Sequence, residues 1–194
     1  MSKRGGVMFP SRGEMTGDMP VPMPIMSRVW AMPDKWTFTI PPIKGLLDKY
    51  MGMGENRRNR DWVDPFAGLH SPANITNDIE SSRKALFCLD GLEFLQSLFS
   101  GDFYGVLFDP PYSAEQCLRR YTPKFRGTAG REEYRAKCKD EIARVVVGGG
   151  IVISLGWDSN GMGKARGFEL VEVMLVCHGA CHNDTIVTVE RRIS

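Results

Sequence analysis

Residues Tyr104-Gly105-Val106-Leu107-Phe108 form an apolar run that stops at Asp109-Pro110-Pro111-Tyr112. Proline has no N–H and cannot continue a central strand, so the run reads as a buried strand with a hard end. A carboxylate, a rigid carbonyl-bearing turn and an aromatic ring stand at that end. The set suits holding a flat, nitrogen-bearing ring at the edge of a sheet.

The same alternation of strand and stop recurs along the chain. Trp62-Val63 opens a first strand that ends at Asp64-Pro65-Phe66-Ala67-Gly68, and Ala73 to Asp78 reads as a second. Ala85 to Leu89 reads as a third, before Asp90-Gly91 and a short helix through Leu92, Phe94, Leu95 and Leu98. The opening run is the fourth. A helix from Glu132 to Val146 follows, with Gly148-Gly149-Gly150 as its stop, then a fifth strand, Ile151 to Leu155. Phe168 to Cys177 and Thr185 to Glu190 are rich in β-branched residues and close as an antiparallel hairpin at the C-terminal edge. Apolar strands separated by helices imply a doubly wound, mostly parallel α/β sheet of seven strands.

Upstream, Pro20, Pro22 and Pro24 alternate in a Met-, Pro- and Gly-rich stretch that is no helix and a poor strand. Residues 1–35 therefore read as an arm and 36–194 as one catalytic domain. Regular structure is expected to start near Trp36. Ile43, Leu46, Leu47, Tyr50 and Met51 then share one helical face. At 194 residues the chain is long enough for one α/β domain with a substantial core. A net charge of +2 carries no global polyanion signature, so any nucleic-acid surface must be local. Five scattered cysteines suggest a reduced, cytoplasmic setting. No segment approaches a membrane span. Cys177-His178 and Cys181-His182 crowd four potential ligands into six residues, too tight to wrap a tetrahedral zinc, and no metal is expected.

In open α/β sheets, ligands lie at the carboxyl ends of the strands. Asp64, Asp78, Asp90 and Asp109 each follow an apolar strand and would line one rim. An acid after the second strand is placed for ribose hydroxyls. One after the third can accept from an adenine amino group.

Asp109-Pro110-Pro111-Tyr112 resembles the catalytic motif of the S-adenosylmethionine-dependent amino-methyltransferases, in the form typical of adenine-N6 enzymes. Asp64 to Gly68 resembles that family's first cofactor motif, and Asn77-Asp78 and Asp90-Gly91-Leu92 its second and third. Thr39-Ile40-Pro41-Pro42 is similar, more weakly, to the motif that covers the cofactor's methionine. The resemblance spans roughly residues 36 to 192 and is closest to small, phage-type adenine-N6 DNA methylases without a separate recognition domain. It departs from the family after Gly68, where Leu69-His70-Ser71-Pro72 runs almost directly into the second strand with no intervening helix.

The resemblance implies a cofactor, S-adenosylmethionine, held by Thr39, Ile40, Asp64, Pro65, Phe66, Ala67, Gly68, Asn77, Asp78, Asp90, Gly91 and Leu92. It implies catalysis by Asp109, Pro110, Pro111 and Tyr112. The carboxylate of Asp109 and the carbonyl of Pro110 would each accept one N6 hydrogen and localise the amine lone pair for direct attack on the methyl group. Tyr112 would stack on the base, which must be flipped out if it lies in a duplex. Cytosine-N4 enzymes usually carry Ser at the position of Asp109, and glutamine methyltransferases Asn.

The expected partner is DNA, contacted through Arg119, Arg120, Lys124, Arg126 and Arg131 in a substrate-binding insertion at about 113–137, and through Arg57 and Arg58. That basic segment reads as a solvated face equally well. RNA adenine-N6 or guanine-N2 methylation, with the same site, is the alternative reading, and a catalytically idle binding subunit a third. A monomer or a homodimer would serve.

Overall fold

A computed structural model describes residues 23–52, 62–111, 132–179 and 182–193. Its centre is a seven-stranded sheet built from β1 (Ile25–Trp30), β2 (Trp62–Asp64), β3 (Ile75–Thr76), β4 (Phe103–Phe108), β5 (Val146–Gly156), β6 (Phe168–Cys177) and β7 (Thr185–Arg192). The order is β1-β6-β7-β5-β4-β2-β3. Six strands run parallel, and β7 lies antiparallel between β5 and β6.

Helices α1 (Pro41–Met51), α2 (Gly91–Ser97) and α3 (Glu132–Val145) cover the sheet. Strand periodicity sorts the core into two layers. Leu107, Ile151, Ile153 and Leu155 pack with α1 through Ile43, Leu46, Leu47 and Met51. Val106, Phe108 and Val152 pack on the opposite face with Phe94 and Leu95 of α2 and Ile142 and Val145 of α3.

Pro41 and Pro42 open α1 in its first turn, where a missing N–H costs nothing, and Gly52 ends it in the left-handed conformation at φ 68°. Tyr50, expected on the apolar face, is half-buried. Its hydroxyl donates to Glu172 of β6 at 2.6 Å, beside the Lys49 ammonium at 2.5 Å. Arg144 of α3 donates to the carbonyls of Leu95 and Leu98, closing the C-terminus of α2. Among the described residues, no helix is long and apolar enough to cross a membrane.

Four expectations need correction. Regular structure begins at Ile25, inside the stretch read as an arm: β1 pairs in parallel with β6 from Ile25↔Glu172 to Trp30↔Cys177. Its stability comes from a partner about 150 residues away, which local composition cannot report. The C-terminal hairpin is consequently interior, with β1 outside it. The third strand is absent: residues 85–89 contribute one parallel bridge, Asn77↔Phe87, and Leu86, Phe87 and Leu89 are exposed. Finally, Gly148 to Gly150 do not stop a helix but lie inside β5. The register jumps from Phe103↔Val146 to Gly105↔Ile151, a bulge of the kind glycines permit. A Cβ on Gly150 would sit 2.6 Å from the carbonyl oxygen of Tyr104.

Candidate active site

The carboxyl ends of β2, β3 and β4 meet on one rim, and each acid there has its own local task. Asp64 is fully buried. Its Oδ1 accepts the Phe66 N–H at 2.9 Å and its Oδ2 accepts the Ser71 hydroxyl at 2.6 Å, so it pins the loop after β2. Burial pushes the carboxyl up to about 7, against the bonds from Ser71 and Phe66, and the charges of Asp109 and Asp78 push the same way as burial. No helix follows Gly68, as expected: residues 65–74 are turn and coil.

Asn77 is fully buried and its side chain joins three segments. Its Nδ2 donates to Pro65 O and Leu89 O, both at 3.0 Å, and its Oδ1 accepts the Leu89 N–H at 2.9 Å. Asp78 accepts the Gly68 N–H on Oδ2 at 3.0 Å and the Glu80 N–H on Oδ1 at 2.8 Å. Burial raises its carboxyl too, opposed by those bonds. Ala67 donates its N–H to Asn77 O at 2.9 Å.

Asp90 differs. As N-cap of α2 it receives the Leu92 N–H at 2.9 Å, the Glu93 N–H at 3.3 Å and the Tyr134 hydroxyl at 2.9 Å, all on Oδ1. Oδ2 has no hydrogen-bond donor among the described residues. Gly91 is buried under the Phe66 ring, where a Cβ would stand 2.5 Å from Phe66 Cζ. Phe66 in turn meets Phe108 edge-on, with centroids 5.9 Å apart.

Thr39 is exposed and bonds back to Trp36 O at 2.8 Å, while Ile40 is buried and precedes α1. Trp36 closes this segment onto the loop after β2. Its ring meets His70 edge-on at 5.1 Å, and the Arg83 guanidinium lies 5.3 Å from its centroid.

Asp109 is half-buried, Pro110 buried and Pro111 half-buried at the end of β4. Beside Pro110 lies a cavity of about 550 Å³ between the start of α3 and the end of β5. Phe108, Ser154, Lys139 and Trp157 contribute to its wall. Tyr112 and the basic candidates Arg57, Arg58, Arg119, Arg120, Lys124, Arg126 and Arg131 lie outside the described residues. Cys181 does too. His178 spends both ring nitrogens on the fold, at Ala31 O and Thr185 Oγ1, each 2.9 Å away.

No family model and no curated protein matches the chain. Solved structures do. The N-methyltransferase NodS from Bradyrhizobium japonicum superposes with a TM-score of 0.52 at 8% identity, covering 78% of this chain and 94% of its own. The [4+2]-cyclase SpnF reaches 0.53 at 12% identity, covering 88% and 89%. TrmN from Thermus thermophilus reaches 0.50 at 15% identity, over 79% of this chain and 49% of its own.

The chain has the methyltransferase fold.

A methyltransferase fold does not by itself settle a reaction, since one of these three structures is a cyclase. The site must carry the function. Here the methyltransferase fold brings Asp64, Phe66, Asn77, Asp78, Asp90, Gly91 and Asp109 to one rim. Sequence reasoning missed Trp36 and Ser154 and did not place Tyr134 against Asp90. Tyr134 carries a sequence signal, an aromatic residue in the first turn of a charged helix. Ser154, inside an apolar strand, is a polar residue where none is needed for packing.

Proposed function

We propose that this chain methylates the N6 amino group of adenine in DNA, with S-adenosylmethionine as methyl donor. One observation carries the reading: Asp109-Pro110 stands at the end of β4 between the acidic rim and a cavity. Asp109 acts electrostatically on Asp64, and Pro110 lines the cavity wall.

The rim fits the cofactor. Asp90 Oδ2 is an open acceptor at the end of the third segment, held in place by three donors on Oδ1. Phe66 and Gly91 offer an apolar surface beside it. Asp90 and Phe66 would hold the adenosine half, with Asp78 fixing the Gly68 turn beside them, and the Trp36–Ile40 segment would flank the methionine half. When bound, the cofactor supplies an electrophilic methyl group on a sulfonium centre.

On the substrate side, Asp109 Oδ and the Pro110 carbonyl each accept one hydrogen of the exocyclic amine. The nitrogen moves toward tetrahedral geometry and its lone pair leaves conjugation with the ring. Pro111 holds the turn rigid, and Tyr112 stacks on the base, a contact worth about 1–3 kcal/mol. Asp109 takes up the proton released as the amine is alkylated. The basic residues from Arg119 to Arg131, with Arg57 and Arg58, meet phosphates.

The test is incubation with labelled S-adenosylmethionine and unmethylated DNA or RNA, followed by nucleoside analysis. N6-methyladenine in DNA is the expected product. Label in RNA alone moves the reading to the alternative polymer. No transfer to either, by folded protein that binds S-adenosylhomocysteine, refutes it.

A further inference from the structure

Ser154 is a polar side chain in the wrong place for a core. It is 7% exposed, and its hydroxyl has no hydrogen-bond partner among the described residues. Leaving such a group unpaired is costly, and a partner supplied by a ligand removes that cost. Its register partner on β4 is Phe108, the residue before Asp109. Both side chains lie on the α3 face of the sheet, and both line the cavity beside Pro110. Ser154 and the end of the Asp109-Pro110 turn therefore border one space. At about 550 Å³ the cavity is in the range of small-molecule sites, roughly 300–1,000 Å³.

The wall opposite the sheet is cationic. Arg135 and Lys139 project from the first turns of α3 and Arg166 from the loop before β6, against Glu132 and Asp158. Arg166 is already paired with Asp140 at 2.7 Å. Lys139 has no ion pair among the described residues. Burial lowers its pKa, Asp158 opposes that, and Arg166 adds to it. A half-buried ammonium among like charges gains from an anion. Trp157, partly exposed at the end of β5, supplies a flat face at the same cavity.

We propose that this cavity receives the target as a nucleotide rather than a bare base, with the Ser154 hydroxyl on a polar atom of the ring and the Lys139 ammonium on its phosphate. The inference rests on the reading of Asp109-Pro110 as an amine-binding turn and adds two residues to it. Ser154 is a specificity-determining residue: its hydroxyl donates to a ring nitrogen or accepts from an amino group. Lys139 discriminates a phosphorylated ligand from a nucleoside.

Equilibrium binding of dAMP, deoxyadenosine and inorganic phosphate to the full chain, with S-adenosylhomocysteine present, tests this. Ser154→Ala should weaken dAMP and deoxyadenosine alike, by roughly fivefold for one neutral hydrogen bond. Lys139→Met should weaken dAMP by roughly tenfold, as for a charge-assisted bond, and deoxyadenosine little. Ser154→Ala should also leave the thermal midpoint of the free protein unchanged or raised, since it deletes an unpaired group. The proposal is overturned if dAMP does not bind wild-type protein that binds S-adenosylhomocysteine. It is overturned equally if both variants bind dAMP as wild type does, or if inorganic phosphate alone reproduces the dAMP affinity. The two readings fail separately. Absent methyl transfer with the binding pattern intact removes adenine methylation and keeps the nucleotide cavity. Methyl transfer with unaltered dAMP binding in the variants does the reverse.

Discussion

Replacing Asp64 by Asn should make this protein more stable at pH 8 and flatten its response to pH. Asp64 is fully buried, and its carboxyl is raised from 3.8 to about 7, chiefly by desolvation. Between those values the folded chain holds a proton that the unfolded chain has released. Stability contributed by that proton is complete below about pH 4, falls as pH rises, and is gone above about pH 7. At about 1.36 kcal/mol for each tenfold change in proton affinity, the rise puts the cost of ionisation at about 4 kcal/mol at pH 8. Asn keeps both contacts: its Oδ1 accepts the Phe66 N–H, and its amide donates to Ser71 Oγ in place of the hydroxyl's donation. The assay is urea unfolding of both proteins at pH 5 and pH 8. Every other group contributes alike to both proteins, so the informative quantity is the difference between the two. The Asp64→Asn variant should gain about 3 kcal/mol more at pH 8 than at pH 5. In thermal scans that is about 6–12 °C. Parallel pH profiles, or a variant less stable than wild type at pH 8, would refute the reasoning.

Three further perturbations test other parts of the molecule. Asp109→Ala should abolish methyl transfer while leaving the S-adenosylhomocysteine dissociation constant within about threefold, about 0.7 kcal/mol, measured by calorimetry. Comparable loss of both would place Asp109 in cofactor binding. Tyr134→Phe removes the hydroxyl that donates to Asp90 Oδ1 and accepts from Leu92 N. It should cost about 1–2 kcal/mol in unfolding free energy and weaken the cofactor analogue several-fold, with no change in affinity for dAMP. Gly105→Ala would set a Cβ 2.4 Å from the Trp62 ring, which is fully buried. Overpacking there should destabilise by about 1–3 kcal/mol or more, read as a lower denaturant midpoint with an unchanged slope.

Much of the sheet was legible because its signals are local. β4, β6 and β7 are runs of β-branched and aromatic residues, and their expected bounds fall within a few residues of the observed ones, whereas β5 begins at Val146, well before the expected Ile151. The helix Glu132–Val145 ended one residue earlier than expected, where periodicity gave way to Val146 pairing with Phe103. Residues 85–89 deceived for the same reason that the others did not. Their composition is apolar, but Leu86, Phe87 and Leu89 face solvent and only one bridge forms. β1 went unread because Ser27 and Arg28 break its pattern, and its order comes from hydrogen bonds to β6.

The strand stop at Asp109-Pro110-Pro111 follows from chain chemistry at that point, since a proline pair ends a strand wherever it lies. The sequence therefore determined the order of acidic strand ends and the residues at the rim. Only the tertiary structure decided what each carboxylate is free to do. Asp64 and Asp78 look identical to Asp90 in a sequence, yet Asp64 spends both oxygens on its own loop, Asp78 spends them on Gly68 and Glu80, and Asp90 retains Oδ2. The same holds for Ser154, an unremarked serine until β4, β5 and α3 enclose it beside Pro110. Hydrogen-bond satisfaction is a property of partners brought from elsewhere in the chain, and no window of neighbouring residues contains it.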